Sequence, residues 1–388
     1  MNRFRPILPF ALFCVIAPAA QLGMHATETE YCLTQLTMAL YYALVVLGLS
    51  LVMGYAGQVS LGHGAFFAIG GYTSAVLTTH DFSAWKASLV GNWLQQARLL
   101  VSRTDLYGNS VLTVPPWAAF LAAMLLTLLV AVVIGYPALR LRGYYLAMAT
   151  LGFGLIVSKL LLGSTITGAA DGINGVPEWN LFGGVSVSGK SAVRVQNYYL
   201  ACGAALLVLL VLHNLVRSSR VGRALQALHD AETAANAMGI NTAAYKLKAF
   251  VLSALIAAFA GVCFTHYTGG IGPSEAGALK SIRYVALAAA GGMANLWGVL
   301  VMSVGLNYAS LRGWFGSYDN AVFGAILILI ISVAPDGPLQ PLALRLRQLL
   351  GFRSRLAKAP ADTETVSAEA AQPANISRTE GRVGHGPA

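Results

Sequence analysis

From Tyr31 to His80 the chain carries no Asp, Glu, Lys or Arg, and charge-free runs recur at 106–139, 195–216, 249–274, 284–311 and 320–335. An α-helix needs roughly 20 mostly apolar residues to cross the hydrocarbon core of a bilayer. Each run therefore has room for one or two passes. The pattern predicts spans at about 7–24, 36–53, 63–79, 117–139, 143–162, 198–216, 247–268 and 320–335. The fold class that follows is all-α: a polytopic transmembrane helical bundle of about eight spans.

Two regions break the pattern. Residues 284–311 would add a ninth crossing and reverse the side of the C-terminus, and Gly291 and Gly292 interrupt the run. A re-entrant segment keeps parity: a short helix enters, turns near Gly291, Gly292 and Asn295, and a second helix returns. Between 54 and 64, Gly54, Gly57, Gly62 and Gly64 alternate with Gln58, Ser60 and His63 between two apolar helices. Irregular backbone at membrane depth is tolerated only where protein or a water-filled cavity covers it. Gln58, Ser60, His63 and Asn295 are accordingly candidates for lining a translocation path, with helix-to-helix hydrogen bonding as the competing role.

Composition fits this class, at 56% hydrophobic and 10% charged with 41 Gly. The net charge of +10 raises the question of nucleic acid, but its distribution argues for topology instead. With both termini and residues 217–246 on the cytoplasmic side, 16 of the Lys and Arg fall inside and 9 outside, in the direction of the positive-inside tendency. Residues 80–116 and 163–197 are then external loops, too small for a catalytic domain. Arg3 and Arg5 followed by an apolar stretch and Ala17-Pro18-Ala19-Ala20 have the grammar of a cleavable signal peptide; we read an uncleaved first helix. The transmembrane domain is placed at 1–335, and 336–388 is a basic, largely disordered tail, too poor in large apolar residues to fold beyond about Arg353. Cys14, Cys32, Cys202 and Cys263 form no CxxC and are read as packing residues. Apart from the histidines, the peripheral Lys159 and Lys248 at the very start of its span, no Asp, Glu, Lys or Arg falls inside the predicted spans.

The stretch Gly184 to Ser191 matches GxxxxGK[ST]. A working P-loop follows a buried strand and needs a partner Asp on Mg²⁺, and neither is in view, so we read a Gly/Ser turn. Between 222 and 239 the spacing predicts one helix ending at Gly239, with Ala224, Leu225, Leu228, Ala231, Ala235 and Met238 on one apolar stripe. That stripe must lie on the membrane surface, on the rest of the chain, or in a groove of another protein.

Five separated segments together resemble a known family. Gly54-Tyr-Ala-Gly57-Gln58-Val-Ser60-Leu-Gly62-His63-Gly64, Leu139-Arg-Leu-Arg-Gly143-Tyr-Tyr145, Thr167-Gly-Ala-Ala-Asp171-Gly-Ile-Asn174-Gly-Val-Pro177, the 222–239 helix and Gly291-Gly292-Met-Ala-Asn295-Leu-Trp-Gly298 look like the LivM-like permease subunits of branched-chain amino acid ABC transporters. The likeness spans about 30–335. It implies an inner-membrane importer subunit that pairs with a second homologous permease, docks two ATP-binding cassette ATPases and receives substrate from a periplasmic or extracellular binding protein. ATP and Mg would sit on those partners, this chain binding no cofactor and catalysing no reaction. The resemblance places Glu232, Ala234, Ala235 and Gly239 in the family's ATPase coupling position, with Thr233 separating Glu232 from the alanines. The alternative is an ion-coupled or passive secondary transporter or channel, which also uses broken helices but usually needs an intramembrane ionisable residue. The substrate stays open among branched-chain and other amino acids, amides, urea and small carboxylates.

Because the P-loop match lacks its structural context, Lys190→Ala is expected to leave ATP-driven uptake close to wild type. Loss of ATP hydrolysis in an intact assembly would show a working nucleotide site.

Overall fold

The computed structural model of the protein describes residues 8–81, 101–104, 110–141, 143–181 and 184–333. The predicted 336–388 tail, Arg3, Arg5 and much of the first long loop lie outside them. Twelve α-helices follow in order among the described residues: α1 Leu8–Ala26, α2 Cys32–Ser50 continued by a π turn Leu51–Tyr55, α3 His63–Thr79, α4 Pro116–Ala138, α5 Tyr144–Gly163 and α6 Arg194–Ser218. Then come α7 Arg220–Asp230, α8 Glu232–Ala237, α9 Thr242–Thr268, α10 Ala278–Ala290, α11 Leu296–Leu311 and α12 Asp319–Val333. Six segments are long and apolar enough to cross a membrane: Pro9–Ala26, Cys32–Tyr55, Pro116–Ala138, Tyr144–Gly163, Ser191–Ser218 and Thr242–Thr268. Leu296–Leu311 and Ala321–Ile330 are shorter apolar helices. The strands are two to four residues long and confined to connections, such as Ile173–Asn174 paired with Gly270–Ile271.

Burial sorts the helices into a centre and a rim. In the most apolar 18-residue stretch of each helix, 89% of the residues are buried in Cys32–Tyr55 and 67% in Thr242–Thr268, against 6% in Pro9–Ala26. On α4 the buried positions are small and spaced by four, Ala119, Ala123, Thr127, Ala131 and Gly135, while Leu121, Leu125, Leu129 and Val133 point outward. Lipid tails are as apolar as leucine, so burying large side chains gains little between membrane helices, and close backbone approach through small residues decides which face packs. The same rule joins α3 to α9. A Cβ on Gly261 would stand 2.0 Å from the Phe67 carbonyl oxygen, and hydrogen bonds His63 to Ser253 (2.6 Å) and Ser74 to His266 (2.8 Å) fix the two helices in parallel register.

We call the end of the bundle at Cys32, Thr79 and Thr268 upper and the end at Tyr55, Asp230 and Thr242 lower. After Tyr55, residues 57–62 run without helix back into the bundle. Helix α3 starts level with Ser253, eleven residues into α9 and so about 16 Å along it. Helix α9 stops at Gly269, which caps it in the left-handed conformation at φ 71°. The chain then turns back through Pro273–Ala276, and α10 starts inside the bundle. The Gly64 amide donates to Ser281 Oγ at 3.2 Å, so the first turns of α3 and α10 meet there. One full helix descends and a partial one climbs; later, one full helix climbs and a partial one descends. The predicted hairpin at 284–311 is present as α10, a turn at 291–295, and α11, but its entering helix begins earlier than the apolar run, at Ala278.

Gly261→Val is expected to lower the melting midpoint in detergent and abolish a monodisperse elution peak, overpacking costing about 1–3 kcal/mol. Gly203→Val, where a Cβ meets nothing within 4 Å, is expected to elute as wild type. Equal behaviour of the two would contradict the close α3–α9 contact.

Candidate functional site

The two irregular segments meet at the lower end. A Cβ on Gly54 would lie 2.0 Å from the Met293 carbonyl oxygen, and the Tyr55 hydroxyl donates to the Ala294 carbonyl at 2.5 Å. Gly57 has φ +64°, and a Cβ there would be 2.9 Å from Nδ1 of His229, at the end of α7. Gly291 touches the backbone of Gly298 and Val299, and Gly292 turns at φ +80°. Asn295 precedes α11, half-buried, its amide donating to the Gly292 carbonyl at 2.7 Å.

Deeper in the bundle, Ser60 and His63 are brought together. His63 is 1% exposed, with ring nitrogens 3.2 Å from Ser60 Oγ and 2.6 Å from Ser253 Oγ. Both nitrogens are engaged in joining the re-entering segment to α9. Gly62 rests on the Thr150 carbonyl and Gly64 on Ser281. Gln58 is 4% exposed, and neither end of its side-chain amide has a protein partner among the described residues. Among the described residues only Ser60 and His63 of the four candidate path residues are joined by a side-chain hydrogen bond; Gln58 and Asn295 stand apart from them.

The segment predicted as one helix from 222 to 239 is two, α7 and α8, broken at Ala231, whose φ of −155° is extended backbone. Ser219 caps α7 by accepting from the Gly222 amide at 3.1 Å. Most of the apolar stripe is covered by this chain itself: Ala224, Leu225, Leu228 and Ala235 are buried, while Ala231 at the break is exposed. Met238 is exposed as well, at 83%, and so are Ala234, Ala237 and Gly239 beside it. Glu232 pairs with Lys246 Nζ at 2.6 Å, and Thr242 donates to the Asn236 side chain at 2.9 Å. Glu232 thus staples α8 to the first turns of α9.

The sequence reading missed a charged cluster inside the bundle. Tyr42 lies ten residues into the Cys32–Tyr55 segment, about 15 Å from its upper end. Its hydroxyl donates to the Glu275 carboxylate (3.2 and 3.3 Å) and accepts from Lys280 Nζ at 3.1 Å. Lys280 also reaches both Glu275 oxygens, at 3.0 and 3.2 Å. Next to it, Arg283 pairs with Asp319 at 3.2 Å. These charges fall outside the predicted spans, but the start of α10 inside the bundle brings them among the helices, which corrects the expectation of no interior ionisable residue beyond the histidines and Lys159. A signal was present: Glu275, Lys280 and Arg283 are the only charges between 249 and 311. At the P-loop match, Ser186–Val187 pairs with Trp179–Asn180 as a hairpin and Lys190 pairs with Glu178.

A family model described as branched-chain amino acid transport system / permease component matches residues 31–331. The chain is 32% identical over 322 residues to the high-affinity branched-chain amino acid transport system permease protein LivM of Salmonella typhimurium, covering 78% of this chain and 68% of that one. The LivM of Escherichia coli K12 is 31% identical over the same shares. The permease protein LivH of Escherichia coli K12 is 25% identical over 308 residues, 78% of this chain and 92% of the relative. No solved structure matches the chain.

Glu232→Gln leaves the buried Lys246 ammonium without its partner. It is expected to lower the melting midpoint by an amount equivalent to about 1–2 kcal/mol, the partial exposure of Glu232 reducing the full cost of a buried pair. Adding Lys246→Met is expected to restore most of the loss, and an additive double variant would contradict the staple.

Proposed function

The chain belongs to the branched-chain amino acid permease family, and on that footing we propose that it is the membrane permease subunit of an ABC importer for branched-chain or related amino acids. The observation that carries this is the family match over residues 31–331, together with a bundle in which two re-entering helices meet in the interior. Relatives of two kinds, LivM and LivH, support pairing with a second homologous permease. ATP hydrolysis would belong to separate cassette subunits and delivery to a binding protein. The 16 to 9 split of basic residues supports cytoplasmic termini and a cytoplasmic lower end.

In this reading α8 is the coupling element, and its burial divides the labour among the coupling residues. Ala235 and Glu232 hold α8 on the chain, while Ala234, Met238 and Gly239 offer the exposed face to the ATPase. The interior charges weaken one argument against an ion-coupled carrier. Glu275 is nevertheless neutralised by Lys280 within the chain, and the family is one of ABC permeases, so the importer reading stands. Gln58, Ser60, His63 and Asn295 belong to segments that must part when the path opens, and we assign them to its lining in that state.

Met238→Asp puts a charge on the exposed face, where nothing in the chain is disturbed. It is expected to insert and melt as wild type but to lose ATPase on purification and to lower uptake at least tenfold, an unpaired charge in an apolar groove being costly. Ala235→Asp is expected instead to destabilise the chain itself. Normal uptake and full ATPase recovery with Met238→Asp would remove α8 from the docking surface.

A further inference from the structure

The interior cluster has the valences of a receptor for a zwitterion. Glu275 supplies a carboxylate with 11% side-chain exposure, and Lys280 supplies an ammonium held both on that carboxylate and 4.5 Å from the centre of the Tyr42 ring. A cavity of about 40 Å³ is lined by Tyr42, Lys280, Arg283, Tyr284 and Asn307 among others, with Glu275 one hydrogen bond behind Tyr42 and Lys280. That is room for about three waters or one carboxylate group. Three donors there are unspent. Arg283 Nε and Nη2 and the hydroxyl of Tyr284, itself 1% exposed, have no protein partner among the described residues. A buried donor without a partner costs about 1–3 kcal/mol, so a ligand oxygen that reaches them is favoured. The N-terminus of α10 adds to this. Gly277 provides no side-chain cap, and the partial positive charge of a helix start inside a membrane protein favours an anionic group nearby.

We propose that this cluster clasps the head group of a zwitterionic amino acid: the α-carboxylate against Lys280, Arg283 and Tyr284, the α-ammonium against Glu275. In the ligand-free chain Lys280 and Glu275 neutralise one another; the ligand inserts between them and replaces each partner with one of like charge. A ligand bearing only one of the two charges leaves a buried ion unmatched, and an uncharged one that parts the pair leaves both unmatched; breaking a buried pair in either way is strongly unfavourable. Small carboxylates, amides and urea are therefore excluded as well-bound ligands of this site, which narrows the substrates that the fold alone leaves open. The aliphatic side chain finds no room in the cavity and must project from it, so the site recognises the head group and does not rank leucine against isoleucine or valine. This inference rests on the importer reading and assigns it a place and a chemistry.

The test uses the full chain in nanodiscs, with ligand binding followed by saturation-transfer NMR at millimolar L-leucine, L-leucinamide and 4-methylpentanoate. Leucine is expected to bind, and the other two, each lacking one charge, to bind at least tenfold more weakly. In the double variant Glu275→Gln/Lys280→Met both charges go together, so no orphan ion is left to unfold the bundle. It is expected to melt near wild type and to lose leucine binding. Tyr284→Phe removes one unspent donor and is expected to weaken leucine severalfold with unchanged melting, which keeps the proposal testable should the double variant fail to fold. Equal binding of the three ligands, or leucine binding intact in the double variant or in Tyr284→Phe, overturns the clasp. Uptake by the assembled transporter separates the two levels: leucine import that persists in the double variant overturns the site and leaves the importer reading, whereas a wild-type assembly that imports no amino acid overturns the importer reading itself.

Discussion

An unpaired backbone amide or carbonyl in hydrocarbon costs several kcal/mol, and this chain breaks its helices in the middle of a membrane bundle. Everything around the breaks follows from covering them. The Gln58 amide donates back to Val52, that of Leu61 to the Thr150 hydroxyl at 2.9 Å, and that of Gly64 to the Ser281 hydroxyl. The last two covers come from α5 and α10, so neither helix can move away without exposing backbone. Small residues make the approach possible: Gly54 against Met293, Gly64 against Ser281 and Gly261 against Phe67 are contacts that a side chain would block.

The same covering gives the lower end a mechanical continuity. Helix α8 is tied to α9 through Glu232 and Lys246; α7 ends in His229 against Gly57; Gly54 and Tyr55 press on the turn that closes α10. A displacement of the α7–α8 pair therefore bears on both re-entering segments through packed atoms. Coupling needs such a contiguous element with two arrangements, each favoured by a ligand elsewhere. The helices leading into and out of the 217–246 loop are thus one route of transmission, and the direct contact of His229 with Gly57 is a shorter one.

How much of this was legible in the sequence depended on the range of the interaction. Charge-free runs gave the long helices, and clustered glycines marked both irregular segments, because the backbone demand they answer is local. The hairpin at Gly291–Asn295 was readable for that reason. The partners Thr150, Ser253 and Ser281 were not, since each lies far along the chain from the residue it satisfies and is an ordinary small polar residue in its own helix. Glu275 and Lys280 fall between two apolar runs, where a sequence alone suggests a connection. Only the start of α10 inside the bundle turns that gap into an interior site. The stripe on 222–239 called for a cover that periodicity cannot identify; this chain covers Ala224, Leu225, Leu228 and Ala235 and leaves Met238 exposed. The break at Ala231 left no mark, alanine being the best of helix formers.

The central claim is that motion at α8 reaches the two re-entering segments together. Hydrogen–deuterium exchange on the assembled transporter, nucleotide-free and trapped with ATP, reads this directly. The account expects amides at 57–65 and at 277–283 to change protection in concert when ATP is trapped, with α1 and α4 unchanged. A change confined to residues 220–239, with both re-entering segments as protected as before, would contradict it.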